Sequence, residues 1–175
     1  MNLRAQTYKF ARILPKGIII LPESKKCHIL NPNKEVTMTT AGITKKRVFT
    51  ADYEIHASVK MLYPYIQTAS GLSEWFADDV RINNEDKVFT FFWDNEEHKA
   101  RQTAHRTNHF VRFEFLPEGD EDEKDPSYFE LRLEFNELTQ SVFLKVTDYS
   151  GFDDLKELND LWDSLVDAMR KTVGG

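Results

Sequence analysis

The stretch DDLKELNDLWDSLVDAMRKTV, residues 153–173, decides the fold. Leu155, Leu158, Leu161, Trp162, Leu165, Val166, Met169 and Val173 recur at spacings of three and four, the period of an amphipathic helix with one apolar stripe. Gly151 and Asp153 open the segment. Asp153, Asp154 and Glu157 stand near the positive end of the helix dipole, and Arg170 and Lys171 near the negative end. A stripe this long must be buried against another apolar surface, so the rest of the chain has to provide one.

The preceding sequence supplies it as strands. Phe49, Ala51, Tyr53 and Ile55 alternate with Thr50, Asp52, Glu54 and His56, which predicts a half-buried strand from Arg47. Ser58 is placed to cap a helix over Val59–Gln67 that Pro64 limits or bends, and Ser70 to cap a second over Leu72–Phe76. Six further strands are expected over residues 80–83, 87–93, 97–106, 109–116, 128–135 and 141–149, separated by turns rich in Asn, Asp and Pro. One face carries Phe89, Phe91 and Trp93; Val111, Phe113 and Phe115; Phe129, Leu131, Leu133 and Phe135; and Val142, Leu144 and Val146. Such alternation marks an antiparallel sheet covered on one side. The expected class is α+β: a curved seven-stranded antiparallel sheet wrapped around a long C-terminal helix, with two short helices after the first strand.

Composition bounds the rest. A chain of 175 residues, 41% hydrophobic, closes one core and not two. Residues 1–46 hold nine Lys/Arg against Glu23 and Glu35, and three of the six prolines, without sustained periodicity. They are expected to form a basic, poorly ordered extension, and residues 47–175 the domain. Such an extension is either a basic arm for an acidic surface or a tail without a role, arising from a start upstream of Met38. The longest apolar run, Ile18 to Leu21, is far below the roughly 20 residues that span a bilayer, so a soluble, cytoplasmic protein is expected. Cys27 stands alone, which excludes an internal disulfide or a cysteine-based zinc site.

The order of elements, with Tyr53-Glu54-Ile55-His56-Ala57-Ser58, Leu62-Tyr63-Pro64-Tyr65-Ile66, Gly71-Leu72-Ser73-Glu74-Trp75-Phe76-Ala77-Asp78-Asp79-Val80, Phe89-Thr90-Phe91-Phe92-Trp93, Val146-Thr147-Asp148-Tyr149 and Leu161-Trp162-Asp163, resembles the helix-grip fold of the START and birch-pollen-allergen superfamily. It is most similar to the small bacterial START-like family near the chaperone-ATPase-activator branch. The resemblance spans about residues 47–173. It implies a cavity between the long helix and the sheet that takes an apolar or amphipathic small molecule or lipid. The candidate ligand-binding residues are Tyr65, Trp75, Phe91, Trp93, Phe113, Leu133, Asp148, Trp162 and Leu165, whose aromatic members either line such a cavity or fill the core. A protein-interaction or chaperone-accessory domain is the alternative. Members of one fold serve many functions.

Catalytic groups are sparse. The chain has no Gly-x-Ser-x-Gly elbow, dinucleotide fingerprint or phosphate loop, and seven glycines in all. No cofactor or metal is expected: of His28, His56, His98, His105 and His109, only His105 and His109 stand close enough to meet, across the Thr107-Asn108 turn, and a metal needs three or four ligands. Asp148 continues the inward phase of Val142, Leu144 and Val146, either as a general base of a cyclase or hydrolase, together with a histidine or tyrosine, or as an acceptor for the start of the long helix or a basic neighbour. Arg101 and Arg112 are anchors for an anion or members of the exposed strand faces; for Arg112 the exposed face is the better fit. Residues 118–125 carry six carboxylates and one lysine, without the order of a calcium loop, and predict a solvated hairpin tip. With the acidic face of the long helix, they argue against nucleic-acid binding by the folded part.

Overall fold

A computed structural model describes residues 46–117, 125–152 and 154–174. The basic extension as far as Lys45, the acidic run 118–124 and Asp153 lie outside the described residues. Seven strands, β1 (Arg47–Ile55), β2 (Asp79–Asn83), β3 (Val88–Trp93), β4 (Glu96–Arg106), β5 (Phe110–Phe115), β6 (Tyr128–Asn136) and β7 (Ser141–Ser150), form one antiparallel sheet ordered β1-β7-β6-β5-β4-β3-β2. Between β1 and β2 lie α1 (Val59–Gln67) and α2 (Ala69–Ser73), and the chain closes with α3 (Leu155–Val173). This is the expected curved sheet and C-terminal helix. β1 enters the sheet only by pairing with β7 over its whole length, Arg47 opposite Ser150 through Ile55 opposite Val142, so the fold closes when its first and last strands meet.

Alternation along the strands decides which face is inside. Phe89, Phe91 and Trp93, Val111, Phe113 and Phe115, Phe129, Leu131 and Leu133, and Val142, Leu144 and Val146 are all buried, and Leu158, Leu161, Trp162, Val166 and Met169 of α3 join them in one core. Phe135 departs from the stripe: it is 52% exposed, because it lies at the far end of β6, beyond the core packing that covers Leu131 and Leu133.

The helix ends show how local chemistry sets the boundaries. Ser58 caps α1, its Oγ accepting from the Met61 N–H at 3.2 Å. The helix continues past Pro64 for most of a turn and stops at Thr68, whose N–H (3.0 Å) and Oγ1–H (2.8 Å) both donate to the Pro64 carbonyl. The same Thr68 hydroxyl accepts from the Gly71 N–H at 3.0 Å and so caps α2, which begins at Ala69; Thr68, not Ser70, is the cap. One residue therefore ends one helix and starts the next, forming a tight elbow.

α3 is capped by Asp154, whose Oδ1 accepts from the Lys156 and Glu157 N–H groups at 2.9 and 3.2 Å. Gly174, at φ 82°, closes the other end with its N–H on the Arg170 carbonyl. Replacing Asp154 with alanine is expected to cost about 1 kcal/mol, read as a lower urea midpoint with an unchanged slope; no change would mean that packing alone fixes the start of α3.

Candidate ligand cavity and the buried carboxylate

Two regions concentrate polar chemistry on the inner face. The first lies where the α1–α2 elbow overhangs β2, β3 and β4. A cavity of about 380 Å³ opens there, roofed by Gln67, Thr68 and Ala69, with Ile82 and Phe89 supplying apolar floor and Lys87, Gln102 and His105 supplying polar groups. This is near the low end of the roughly 300–1,000 Å³ usual for small-molecule sites.

A β-bulge assembles the polar side of this cavity. Gln102 pairs with Phe113, but the register then shifts, so that Ala104 pairs with Arg112 and His105 with Val111. One extra residue inverts the inside–outside phase. Without it Ala104 would face inward; with it His105 does, on the same face as Gln102. Lys87 holds the left-handed conformation at φ 55°, and its carbonyl meets the Gln102 N–H at 3.5 Å, which ties the β2–β3 turn to β4. The Gln102 Nε2 is buried without a hydrogen-bond partner. A buried amide nitrogen left in this way carries an unrecovered desolvation cost.

The second region is Asp148 on β7. Its Oδ2 accepts from the Trp162 indole N–H at 3.1 Å, joining the sheet to α3 at the centre of the core. Burial pushes its carboxyl above the usual carboxylate range, while the hydrogen bond from Trp162 pulls the other way. The acceptor role expected of Asp148 is thus filled by a side chain of the long helix, rather than by backbone N–H groups at its start. Burial and the nearby Asp163 carboxylate push the Tyr53 phenol upward as well.

The nine residues expected to line a ligand site fall into a connected interior. Phe91, Trp93, Phe113, Leu133 and Trp162 are almost wholly buried, Trp75 and Asp148 nearly so, and Tyr65 and Leu165 half-buried. The Trp93 and Trp75 indoles donate to the carbonyls of Phe76 and Tyr65, each at 2.9 Å. Phe76 stands between them all, 5.6 Å from Trp93 and 5.8 Å from Trp162 between ring centroids. None of the nine lines the elbow cavity, but Phe89 connects the two: its ring lies 4.9 Å from Phe113 and 6.3 Å from Phe91.

Sequence reasoning missed Gln102 and Lys87 as site residues. β4, EEHKARQTAHR, carries no apolar alternation whose break could mark the bulge, so no signal in the sequence pointed to them.

The histidines separate. His98 is buried beside Trp93 at 5.5 Å, His105 faces the cavity, His56 is exposed, and His109 Nδ1 is 3.3 Å from the Leu133 carbonyl. Among the described residues no group of three or more His, Cys, Asp or Glu could hold a metal ion. Arg112 lies on the outer face, stacked 3.7 Å over the Tyr128 ring and paired with Glu114 at 3.2 Å. No helix among the described residues is long and apolar enough to cross a membrane.

A single antiparallel sheet gripping a long terminal helix, with two short helices after the first strand, is the helix-grip fold. The START-like superfamily domain matches residues 43–175, and the chain belongs to that family. No curated protein matches the chain. Among solved structures, it is similar in fold to the Aha1 dimer from Colwellia psychrerythraea at 17% identity, covering 73% of this chain and 96% of that one with a TM-score of 0.58. A putative uncharacterised protein from Bacillus thuringiensis (9% identity, 74% and 100% covered, TM-score 0.59) shares the fold. So does CalU16 from Micromonospora echinospora (15%, 73% and 75%, TM-score 0.52).

Proposed function

We propose that the chain is a non-catalytic START-like binding module that takes an apolar or amphipathic small molecule on the inner face of its sheet. The observation that carries this reading is the cavity under the α1–α2 elbow, half apolar and half polar, with Phe89 leading from it into the aromatic interior. A ligand that enters at the elbow and displaces or repacks Phe89 would meet Phe91, Phe113 and Trp93 next, and Trp162 and Leu165 of α3 beyond them. Asp148 supports binding over catalysis. Its carboxylate is committed to Trp162, on a strand separated from β4 by β6 and β5, and so stands apart from the cavity's polar groups. The likeness to the Aha1 dimer, at 17% identity, is one of fold and brings no partner to this chain.

The test is displacement of a fluorescent fatty acid from the full chain, with tryptophan emission followed in parallel and native mass spectrometry of the purified protein. A saturable signal, with emission shifting as Trp93 is reached, is expected. A protein that arrives empty and takes up nothing in either assay would sink the proposal.

A further inference from the structure

Lys87, Gln102 and His105 come from two different segments and meet at one rim of the elbow cavity only because the bulge turns His105 inward. Ile82, Phe89 and Ala69 complete its lining with hydrocarbon. Lys87 makes no ion pair among the described residues, although Glu85 and Asp86 adjoin it in sequence; Asp86 takes the Asn83 amide at 3.2 Å instead. The Gln102 Nε2 is a buried donor with nothing to donate to. The polar rim therefore offers hydrogen-bond donors and one fixed positive charge, while the floor offers hydrocarbon.

We propose that Lys87, Gln102 and His105 form a head-group clamp for the carboxylate of an amphipathic small molecule whose apolar end rests on Phe89, Ile82 and Ala69. The inference rests on the binding-module reading above and names its ligand class. A carboxylate fits better than a phosphate, because the rim carries one lysine and no arginine and the whole chain has a formal charge of −6, which disfavours a dianion. An ionised acceptor also forms the stronger hydrogen bonds that a buried amide donor needs to recover its desolvation cost.

The test titrates octanoate, octyl phosphate and 1-octanol into the full chain, by calorimetry and by amide chemical shifts. Octanoate should bind about tenfold more tightly than 1-octanol, the scale of a charge-assisted hydrogen bond. It should shift the Gln102 side-chain amide and the Ala69 backbone N–H. Lys87→Met and Gln102→Leu should each weaken octanoate about fivefold or more while leaving 1-octanol unchanged, and Lys87→Arg should retain it. Gln102→Leu should also be at least as stable as the parent, since it removes a buried unpaired donor, so a loss of binding there is not a loss of fold. Equal affinities, or a preference for octyl phosphate, overturn the clamp. Shifts confined to the Trp93 and Trp162 indoles overturn the clamp and leave the binding module standing. Failure of all three probes to bind overturns both.

Discussion

Replacing Trp162 with alanine is expected to lower the free energy of unfolding by about 3–5 kcal/mol, a large share of the roughly 5–15 kcal/mol that holds a domain of this kind. The indole is fully buried, lies 5.8 Å from Phe76, and donates its N–H to Asp148 at 3.1 Å. Two losses add: the cavity left by the ring, and the carboxyl stripped of a donor. Phenylalanine at the same position separates them, since it keeps most of the packing and removes the N–H; a cost of about 1–3 kcal/mol is expected near neutral pH.

The phenylalanine deficit should grow with pH. Burial raises the Asp148 pKa in the folded state, so the folded protein holds that proton more tightly than the unfolded chain does. The contribution of Asp148 is then most favourable below its unfolded pKa and declines as pH climbs toward the folded value. The indole N–H opposes this by favouring the carboxylate, and removing it pushes the folded pKa further up and deepens the decline. Urea unfolding of Trp162→Phe and the parent between about pH 4 and pH 8 measures the difference. A deficit flat across that range would mean that the hydrogen bond does not discriminate between the two forms of Asp148.

This pair also marks how far the letters alone reach. Trp162 sits in the helical stripe and Asp148 in the strand alternation, so both are legible as inward-facing, and so are the strands whose periods run unbroken. That the two touch depends on the turn between β7 and α3, which periodicity does not encode. Phe135 follows the alternation of β6 yet stands in solvent, because the rule marks a face and not where its cover ends. The elbow cavity was illegible for a different reason. Its polar rim exists because one bulge breaks the two-residue period between Gln102 and Ala104, and its roof exists because Thr68 serves two helices, where the spacing had pointed to Ser70. The aromatic interior announces itself through repetition. The cavity is made of exceptions to repetition, and nothing in a period locates an exception.

Gly71→Ala probes that roof most directly. In α2 an alanine would ordinarily be favoured by about 1 kcal/mol over glycine. Here a Cβ would stand 2.2 Å from the Pro64 carbonyl oxygen and 2.6 Å from the Tyr65 Cα, both backbone atoms of α1. Neither can rotate away, so α2 must move off α1, and the overpacking cost, at or above the top of the usual range of about 1–3 kcal/mol, exceeds the helical gain. A net loss of about 2 kcal/mol is expected in urea unfolding, whereas Ser70→Ala, at an exposed neighbouring position, should be close to neutral. The same displacement shifts Ala69, and with it the Thr68 elbow, relative to Phe89 and Gln102. Folded Gly71→Ala should therefore lose octanoate binding out of proportion to its loss of stability. If it unfolds early but binds octanoate as the parent does while folded, the elbow supports the fold and not the cavity, and the ligand must enter elsewhere on the inner face.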